Sequence, residues 1–250
     1  MNENYQIVTF YEFKALKNLP EIKQSLKNAM RENSIFGTII LASEGFNAAV
    51  CGSVQNIETF IQQFETLFAA KLDYKSSFYS ERPFQRAKVK IKPEIIMLKQ
   101  TIDIKKGIGT HAKSDEWNKI ISDSETIVLD TRNKYEVQAG TFKNAVNPQI
   151  DSFSQLPEFV KKNFNPNKHK KVALFCTGGI RCEKFAPLMK GLGFAEVYQL
   201  EGGIHRYLEE IPAAESLWEG ECFVFDERIT VDDNLRKGNA NDFSAKLKGE

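Results

Sequence analysis

Apolar residues in the first hundred positions alternate between the periods of strands and helices. Residues 5–10 have the pattern of a strand, residues 35–42 and 48–51 are apolar, β-rich runs that predict two more, and a final strand pair is predicted near residues 74–79 and 87–98. Two amphipathic helices fall between these runs, because apolar side chains recur there at three- and four-residue spacing. The positions are Ile22, Leu26, Ala29 and Met30 in the first helix and Ile57, Phe60, Ile61, Phe64, Leu67 and Phe68 in the second.

The resulting order, β-α-β-β-α-β, matches the ferredoxin-like topology, in which two helices pack on one face of an antiparallel sheet. We therefore predict a ferredoxin-like domain over residues 1–98. In residues 99–113 the apolar periodicity lapses, and Gly107 and Gly109 occur among lysines. This composition predicts a basic linker that runs over a surface.

After residue 113 the pattern becomes typical of a parallel sheet. Residues 127–129 and 172–175 are uninterrupted apolar runs of the kind that are buried on both faces of a sheet. We predict a parallel-sheet α/β domain over residues 114–214, so the fold class is α/β, with an α+β domain in front. Residues 215–250 are acidic and then polar, which predicts a C-terminal tail whose last ~15 residues are disordered.

The composition is that of an ordinary globular protein and excludes several classes. The chain has 250 residues, of which 42% are hydrophobic and 27% charged, and this suits two domains while excluding a collagen, a coiled coil or a disordered chain. The first residues are polar, and the longest apolar stretch is far below the ~18 residues of a membrane span. With four cysteines and no secretory signal, we expect a reducing, cytoplasmic location and no membrane association.

The near-zero formal net charge of +1 hides two regions of opposite charge. Residues 82–113 contain nine basic and two acidic side chains, and residues 201–227 contain one basic and eight acidic side chains. The net charge of the whole chain therefore does not indicate a nucleic-acid partner. The basic segment could still bind phosphate groups. The alternative is that its lysines and arginines form only a solvated face. The candidate RNA-binding residues are Arg82, Arg86, Lys88, Lys90, Lys105 and Lys106.

A candidate nucleophile follows the apolar run at residues 172–175. Cys176 stands at the predicted end of a strand, before Gly178, Gly179 and the start of a helix, which places its sulfur among backbone N–H groups. Such amides and the nearby Arg181 stabilise a thiolate, so we expect the pKa of Cys176 to fall from ~8.5 into the range of ~3.5 to 7.5. Cys176 is therefore predicted to be nucleophilic at neutral pH.

The length of this loop distinguishes two chemistries. Cysteine phosphatases of the tyrosine type place an arginine six positions after the nucleophile, whereas Arg181 comes five positions after Cys176. The pattern Cys-x-x-Gly-x-Arg resembles that of rhodanese domains, whose tighter loop suits a cysteine persulfide. Residues 130–132, 140–147 and 197–203 also resemble rhodanese segments. The predicted active-site loop after Cys176 comprises Thr177, Gly178, Gly179, Ile180, Arg181 and Cys182.

Within the rhodanese superfamily, the chain resembles the rhodanese-containing tRNA uridine hydroxylases. The segments that carry this resemblance are Glu44–Asn47, Asp130–Glu136, Cys176–Lys184, Leu200–Ile204 and Trp218–Asp226. Members of that family hydroxylate C5 of the wobble uridine of tRNA with molecular oxygen, and their functional cysteine corresponds to Cys176. The resemblance implies an oxygen-dependent oxidoreductase that makes 5-hydroxyuridine, with the anticodon region of tRNA as its partner and molecular oxygen as its co-substrate.

Other residues have supporting or open roles. Asp130 and Arg132 are predicted to brace the loop through a charge-assisted hydrogen bond. Cys182 is either a resolving partner for an oxidised Cys176 or a packed side chain, and both interpretations stay open. The remaining cysteines and the three histidines lack the spacing of a zinc or iron site, and no flavin or nicotinamide fingerprint occurs. The sequence therefore predicts no metal and no evident cofactor, and it identifies no protein partner.

Two alternatives stand beside the hydroxylase. The rhodanese loop alone fits a sulfurtransferase that carries a persulfide on Cys176. A non-enzymatic RNA-binding or scaffold protein with an idle rhodanese fold is the other alternative. Because both enzymatic hypotheses share the nucleophile, oxygen dependence separates them and substitution of Cys176 does not.

Overall fold

The computed structural model describes residues 4–104 and 106–239, and the chain divides into two compact units, Met1–Met97 and Leu98–Glu250. The sheet of the first unit is mainly antiparallel, and the largest sheet of the second is parallel. None of the helices in the described ranges combines the length and the hydropathy that a membrane crossing requires.

The first unit consists of a five-stranded sheet and two helices. Its strands are β1 (Tyr5–Phe13), β2 (Phe36–Ala42), β3 (Gly45–Gly52), β4 (Lys75–Tyr79) and β5 (Ala87–Ile91), and its helices are α1 (Leu19–Glu32) and α2 (Val54–Phe68). The sheet order is β4-β1-β3-β2-β5, and only the β2–β5 pair is parallel. This architecture confirms the predicted mixed class of the N-terminal region.

The core of the first unit forms where α1 and α2 cover one face of the sheet. The Phe64 ring contacts those of Phe10 and Phe46 edge to face, with centroid distances of 4.9 Å in both pairs. The regular apolar spacing of α2 thus places the Phe64 side chain against aromatic residues of two strands. Leu67 departs from the predicted apolar face, because its side chain is 41% exposed.

The last two strands of the first unit are not a pair, contrary to the expectation from the sequence. β4 lies at one edge of the sheet beside β1, and β5 lies at the other edge beside β2. A hairpin would leave one edge of the β-α-β-β-α core uncovered, whereas the observed arrangement covers both edges. β5 also ends at Ile91 and does not reach residue 98, because Pro93 has no N–H group to continue the ladder.

The second unit contains a four-stranded parallel sheet with helices and short antiparallel pairs. In chain order its elements are β6 (Thr110–Ala112), α3 (Ser114–Ser122), β7 (Thr126–Asp130), α4 (Lys134–Val137), β8 (Gly140–Phe142), α5 (Leu156–Asn163), β9 (Lys171–Phe175), α6 (Ile180–Gly191), β10 (Glu196–Leu200), α7 (Gly203–Glu210), β11 (Trp218–Gly220), β12 (Cys222–Phe223) and β13 (Thr230–Val231). The sheet order β6-β10-β9-β7 places β9 in the interior, and this parallel sheet confirms the α/β class.

Part of the predicted linker belongs to this sheet. β6, at the end of residues 99–113, pairs in parallel with β10 and forms the edge of the sheet. A Cβ at Gly109 would lie 2.8 Å from that of Ala186, so the backbone there is packed closely against α6. The sequence did not indicate this strand, because three residues are too few to show a period of two.

The acidic segment after residue 214 is also part of the packed structure. β11 pairs with β8, and the Trp218 ring lies 5.2 Å from that of Phe142 in the core. Cys222 and Val231 are buried in the same cluster. The acidic composition did not predict this packing, because the segment also carries Trp218, Cys222 and Phe223, which are buried. Residues 240–250, which make up most of the stretch predicted to be disordered, lie outside the described residues.

Candidate active site

Cys176 follows β9 directly, at the carboxyl end of an interior strand of the parallel sheet. Ligands and reactive groups of such sheets commonly lie at this end. The loop between β9 and α6 turns at Gly179, whose φ of 96° is favourable for glycine alone. This turn aims the amide of Gly179 at Cys176, and that N–H donates to the sulfur at 3.1 Å.

The start of α7 holds the same loop from the other side. The amides of Ile204 and His205 donate to the carbonyl oxygens of Cys176 and Thr177, at 3.0 and 3.1 Å. Gly203 makes this contact possible, because a Cβ there would lie only 2.6 Å from the Cys176 carbonyl oxygen. Because the carbonyl groups of the loop point towards α7, the amide groups of the same loop can point towards the Cys176 sulfur.

The Cys176 sulfur is buried, yet the groups around it favour the thiolate over the thiol. Its side chain is 1% exposed, and burial by itself disfavours the charge. The thiol of Cys182, the positive charge of Arg181 and the amides of both residues outweigh burial and lower the pKa of Cys176 to about 5. The sulfur is therefore surrounded by polar donors and is not sealed among hydrocarbon side chains.

Cys182 has the opposite character. Burial raises the pKa of its thiol well above the ordinary range, and the charge and hydrogen bond of Cys176 raise it further. Its sulfur also lies 3.7 Å from the hydroxyl oxygen of Thr131, which donates to the Phe175 carbonyl oxygen at 2.9 Å. The opposite pKa shifts make Cys182 the protonated member of the pair, with a thiol that can donate to the Cys176 sulfur.

Arg181 is held by a carboxylate that the sequence analysis did not select. Its guanidinium donates to both oxygens of Glu136, at 2.6 and 2.7 Å, and both side chains are buried. Glu136 also accepts from the amide of Asn133 at 3.0 Å, so it caps α4 while it holds Arg181. The spacing Asn-x-x-Glu is a helix-capping signal, and together with the resemblance of residues 130–136 it could have drawn attention to Glu136.

Asp130 and Arg132 form a second buried ion pair, but they support the loop indirectly. Arg132 donates to Asp130 at 2.9 and 2.7 Å, and the Thr141 hydroxyl donates to Asp130 at 2.9 Å. Arg132 also donates to the carbonyl oxygens of Gly140, at 2.6 Å, and of Glu136, at 3.4 Å. The pair therefore fixes the segment that carries Glu136, which in turn holds Arg181.

The rest of the predicted loop carries an unsatisfied polar group and an open glycine position. Thr177 is 9% exposed, and its buried hydroxyl has no hydrogen-bond partner among the described residues. A Cβ at Gly178 would meet no heavy atom within 4 Å in the described chain outside the two adjacent residues. Ile180 is half-buried at the start of α6. A buried hydroxyl without a partner can bind a polar group of a substrate.

The predicted basic residues are not all in one unit. Arg82, Arg86, Lys88 and Lys90 belong to the first unit, whereas Lys106 belongs to the second and pairs with Asp103 at 3.7 Å. Lys105 lies outside the described residues. Lys88 and Lys90 are exposed on β5, and Val89 between them is buried in the core of the first unit. These two lysines therefore point away from the helices, on the opposite face of the sheet.

The charge state of Cys176 is directly measurable. Because its pKa is lowered to about 5, the ultraviolet absorbance of the thiolate is expected at pH 7 and is lost as the pH falls through about 5. The difference titration of the native protein against Cys176→Ser isolates this signal without requiring reagent access. Cys182→Ala removes the thiol that can donate to the Cys176 sulfur, and it should therefore raise the midpoint of the Cys176 titration. A midpoint for the native protein near the ordinary ~8.5 would show that the loop does not stabilise the charge.

The contribution of Glu136 is measurable as stability. Glu136→Gln leaves the buried Arg181 without its counter-charge, so the free energy of unfolding of the second unit should fall by ~3 to 5 kcal/mol. Urea unfolding followed by tryptophan fluorescence reports on this unit, since Trp117 and Trp218 are both in it. Glu158→Gln, at an exposed position of α5, is the matched control and should change stability by under ~0.5 kcal/mol. Equal effects of the two substitutions would contradict this role for the ion pair.

Several solved structures are similar to parts of this chain. A rhodanese-like domain from Anabaena sp. is 15% identical, with a TM-score of 0.37, and the match covers 45% of this chain and 80% of that one. A rhodanese-related protein from Thermoplasma volcanium is 27% identical, with a TM-score of 0.33, over 40% of this chain and 92% of that one. An acylphosphatase from Coxiella burnetii is 14% identical, with a TM-score of 0.28, over 35% of this chain and 93% of that one.

Two protein families account for most of the sequence. The UPF0176 acylphosphatase-like domain matches residues 5–95, and the rhodanese-like domain matches residues 114–210. The first match covers the sheet and helices of the first unit, and the second covers Cys176, its loop and the Asp130–Arg132 and Glu136–Arg181 ion pairs. This chain has the domain architecture of the UPF0176 (tRNA hydroxylase) family, in which an acylphosphatase-like N-terminal domain precedes a rhodanese domain.

Proposed function

We propose that this protein is a cytoplasmic tRNA-modifying oxidoreductase that hydroxylates C5 of the wobble uridine with molecular oxygen. The observation that carries the proposal is the buried Cys176 thiolate, with a pKa of about 5, in the rhodanese domain of a chain with the UPF0176-family architecture. A thiolate that is ionised at neutral pH can act as a nucleophile on a pyrimidine ring.

The proposed chemistry uses Cys176 to activate C5. The thiolate adds to C6 of the uracil, which breaks the C5–C6 double bond and places electron density on C5. C5 then bonds to oxygen, and loss of the C5 proton expels the sulfur and restores the double bond. A sulfur with a low pKa suits the last step, because a weakly basic thiolate leaves readily.

Aromatic side chains next to the loop support binding of an unstacked base. Tyr135 precedes the Glu136 that holds Arg181, and its ring lies 5.2 Å from that of Phe223. Phe223 lies 5.3 Å from Phe225, which is 59% exposed. An aromatic row that ends in an exposed ring can stack a base that has left its helix, as single-stranded RNA loops require.

The first unit offers a surface for phosphate groups. Lys88 and Lys90 stand opposite Thr38 and Ile40 of β2, on the sheet face turned away from the core. Arg86 next to this strand is exposed, and the Arg82 guanidinium lies 4.3 Å from the centroid of the Phe36 ring. Cations that share a sheet face with aromatic rings suit an RNA backbone, and binding by such contacts weakens with salt.

The proposal predicts the modification state of tRNA in cells. In a strain from which the gene is deleted, 5-hydroxyuridine and its derivatives should be lost, and native protein should restore them whereas Cys176→Ala should not, because the nucleophile is missing. Nucleoside mass spectrometry of cells grown under air and under nitrogen measures this, and restoration should require air. Cys51→Ala, a buried cysteine of the first unit, is the matched control. Undiminished 5-hydroxyuridine in both the deletion and Cys176→Ala strains would reject the proposal.

A sulfurtransferase is the second candidate, because a rhodanese-like domain spans residues 114–210 and the amides that hold the Cys176 sulfur can hold a terminal sulfur as well. This candidate predicts that purified protein treated with thiosulfate gains one sulfur atom on Cys176 and passes it to cyanide. Intact-mass spectra before and after cyanide measure both steps, with Cys176→Ser as the control. If the mass does not change under thiosulfate, this second function is eliminated.

A further inference from the structure

The proposed hydroxylation has an electron requirement that the substrates do not meet. When one atom of O2 enters a C–H bond and the other leaves as water, two electrons and two protons are consumed. Uridine and O2 supply neither, so a reductant must provide them in every turnover. The inference that follows rests on the proposed function and concerns the source of these two electrons.

Cys176 and Cys182 form a dithiol of the required capacity. The Cys182 thiol lies within hydrogen-bonding reach of the Cys176 sulfur, and both side chains are 1% exposed. Oxidation of two thiols to one disulfide releases two electrons and two protons, which is the amount that the reaction consumes. The other two cysteines are placed differently, since Cys51 belongs to the first unit and the Cys222 sulfur lies 3.7 Å from the Phe223 carbonyl oxygen.

We propose that Cys182 is the electron-donating partner of Cys176, and that the two sulfurs become a disulfide once for each uridine hydroxylated. Overall, the C5–H group, O2 and the two thiols give C5–OH, one water and the Cys176–Cys182 disulfide, and all atoms and electrons balance. The oxygen first bonds to C5 as a hydroperoxide. The released Cys176 thiolate attacks its outer oxygen, which breaks the O–O bond and leaves C5–OH and a sulfenic acid on Cys176.

The second half of the step belongs to Cys182. Its sulfur attacks the sulfenic acid sulfur of Cys176, the S–S bond forms, and the sulfenic oxygen leaves as water with the thiol proton. The position of Cys182 in the first turn of α6 suits this attack, because its sulfur lies 3.7 Å from the Thr131 hydroxyl, which donates to the carbonyl oxygen of Phe175, the residue before Cys176. A low-molecular-weight dithiol or a thiol reductase then restores both thiols.

A single-turnover experiment tests this assignment. Reduced protein, freed of reductant, is mixed under air with tRNA from the deletion strain, and the reaction is stopped by an alkylating reagent at low pH. Peptide mass spectrometry counts the Cys176–Cys182 disulfide, and nucleoside mass spectrometry counts 5-hydroxyuridine. The disulfide and 5-hydroxyuridine are expected in equal amounts, and no more 5-hydroxyuridine should form until a dithiol is added. In Cys182→Ser, a sulfenic acid trapped by dimedone on Cys176 should replace the disulfide, whereas Cys51→Ala should behave like the native protein.

The outcomes separate this inference from the proposed function. If 5-hydroxyuridine forms while both thiols of the native protein remain reduced, Cys182 is not the electron donor and the hydroxylase stands. The same conclusion follows if Cys182→Ser leaves no oxidised Cys176 but still makes product in air. If no 5-hydroxyuridine forms in any arm, with or without dithiol, both proposals fall. The measurement on the native protein does not depend on how well the variants fold.

Discussion

The second unit is organised around one negative charge on a buried sulfur. An ion at 1% exposure is costly unless donors replace the water that it has lost, and at Cys176 these donors are amides, a thiol and a guanidinium. None of them is positioned by the loop alone. The contacts of α7 with the loop carbonyls turn the amides inward, Thr131 contacts Cys182, and Glu136 holds Arg181. The reactivity of one atom therefore depends on segments from much of the unit.

The Asp130–Arg132 and Glu136–Arg181 ion pairs act in series. Asp130 and Arg132 fix the carbonyl groups of Glu136 and Gly140, and Glu136 then fixes Arg181 in the loop. A guanidinium without a counter-ion would attract the thiolate more strongly, but it would be buried and unpaired, which costs several kcal/mol. Pairing Arg181 with Glu136 weakens its effect on Cys176 and keeps it in place. The pKa of Cys176 is nevertheless about 5, because the Cys182 thiol and the loop amides add to the remaining charge.

The sequence was informative where the determinants are local and uninformative where they are distant. The β-α-β-β order and the loop from Cys176 to Cys182 were predictable, since each depends on spacing within a few residues. The Arg181–Glu136 pair joins residues 45 positions apart, and no local pattern indicates such a contact. The same reason explains the short strand β6 and the opposite edges occupied by β4 and β5. Gly203 matched no nucleotide-binding fingerprint, and the structure shows that its role is close contact with the Cys176 loop.

The contrast between the two sulfurs determines how a disulfide between them would be opened. An attacking thiol displaces the sulfur whose thiol has the lower pKa, because that sulfur is the better leaving group. The pKa of Cys176 is lowered to about 5, whereas burial and the neighbouring charge raise that of Cys182. A reductant would therefore bond to Cys182 and release Cys176 as a thiolate, into the donors that already hold it. The arrangement that makes Cys176 a nucleophile in the first step thus also returns it to the ionised state in the last.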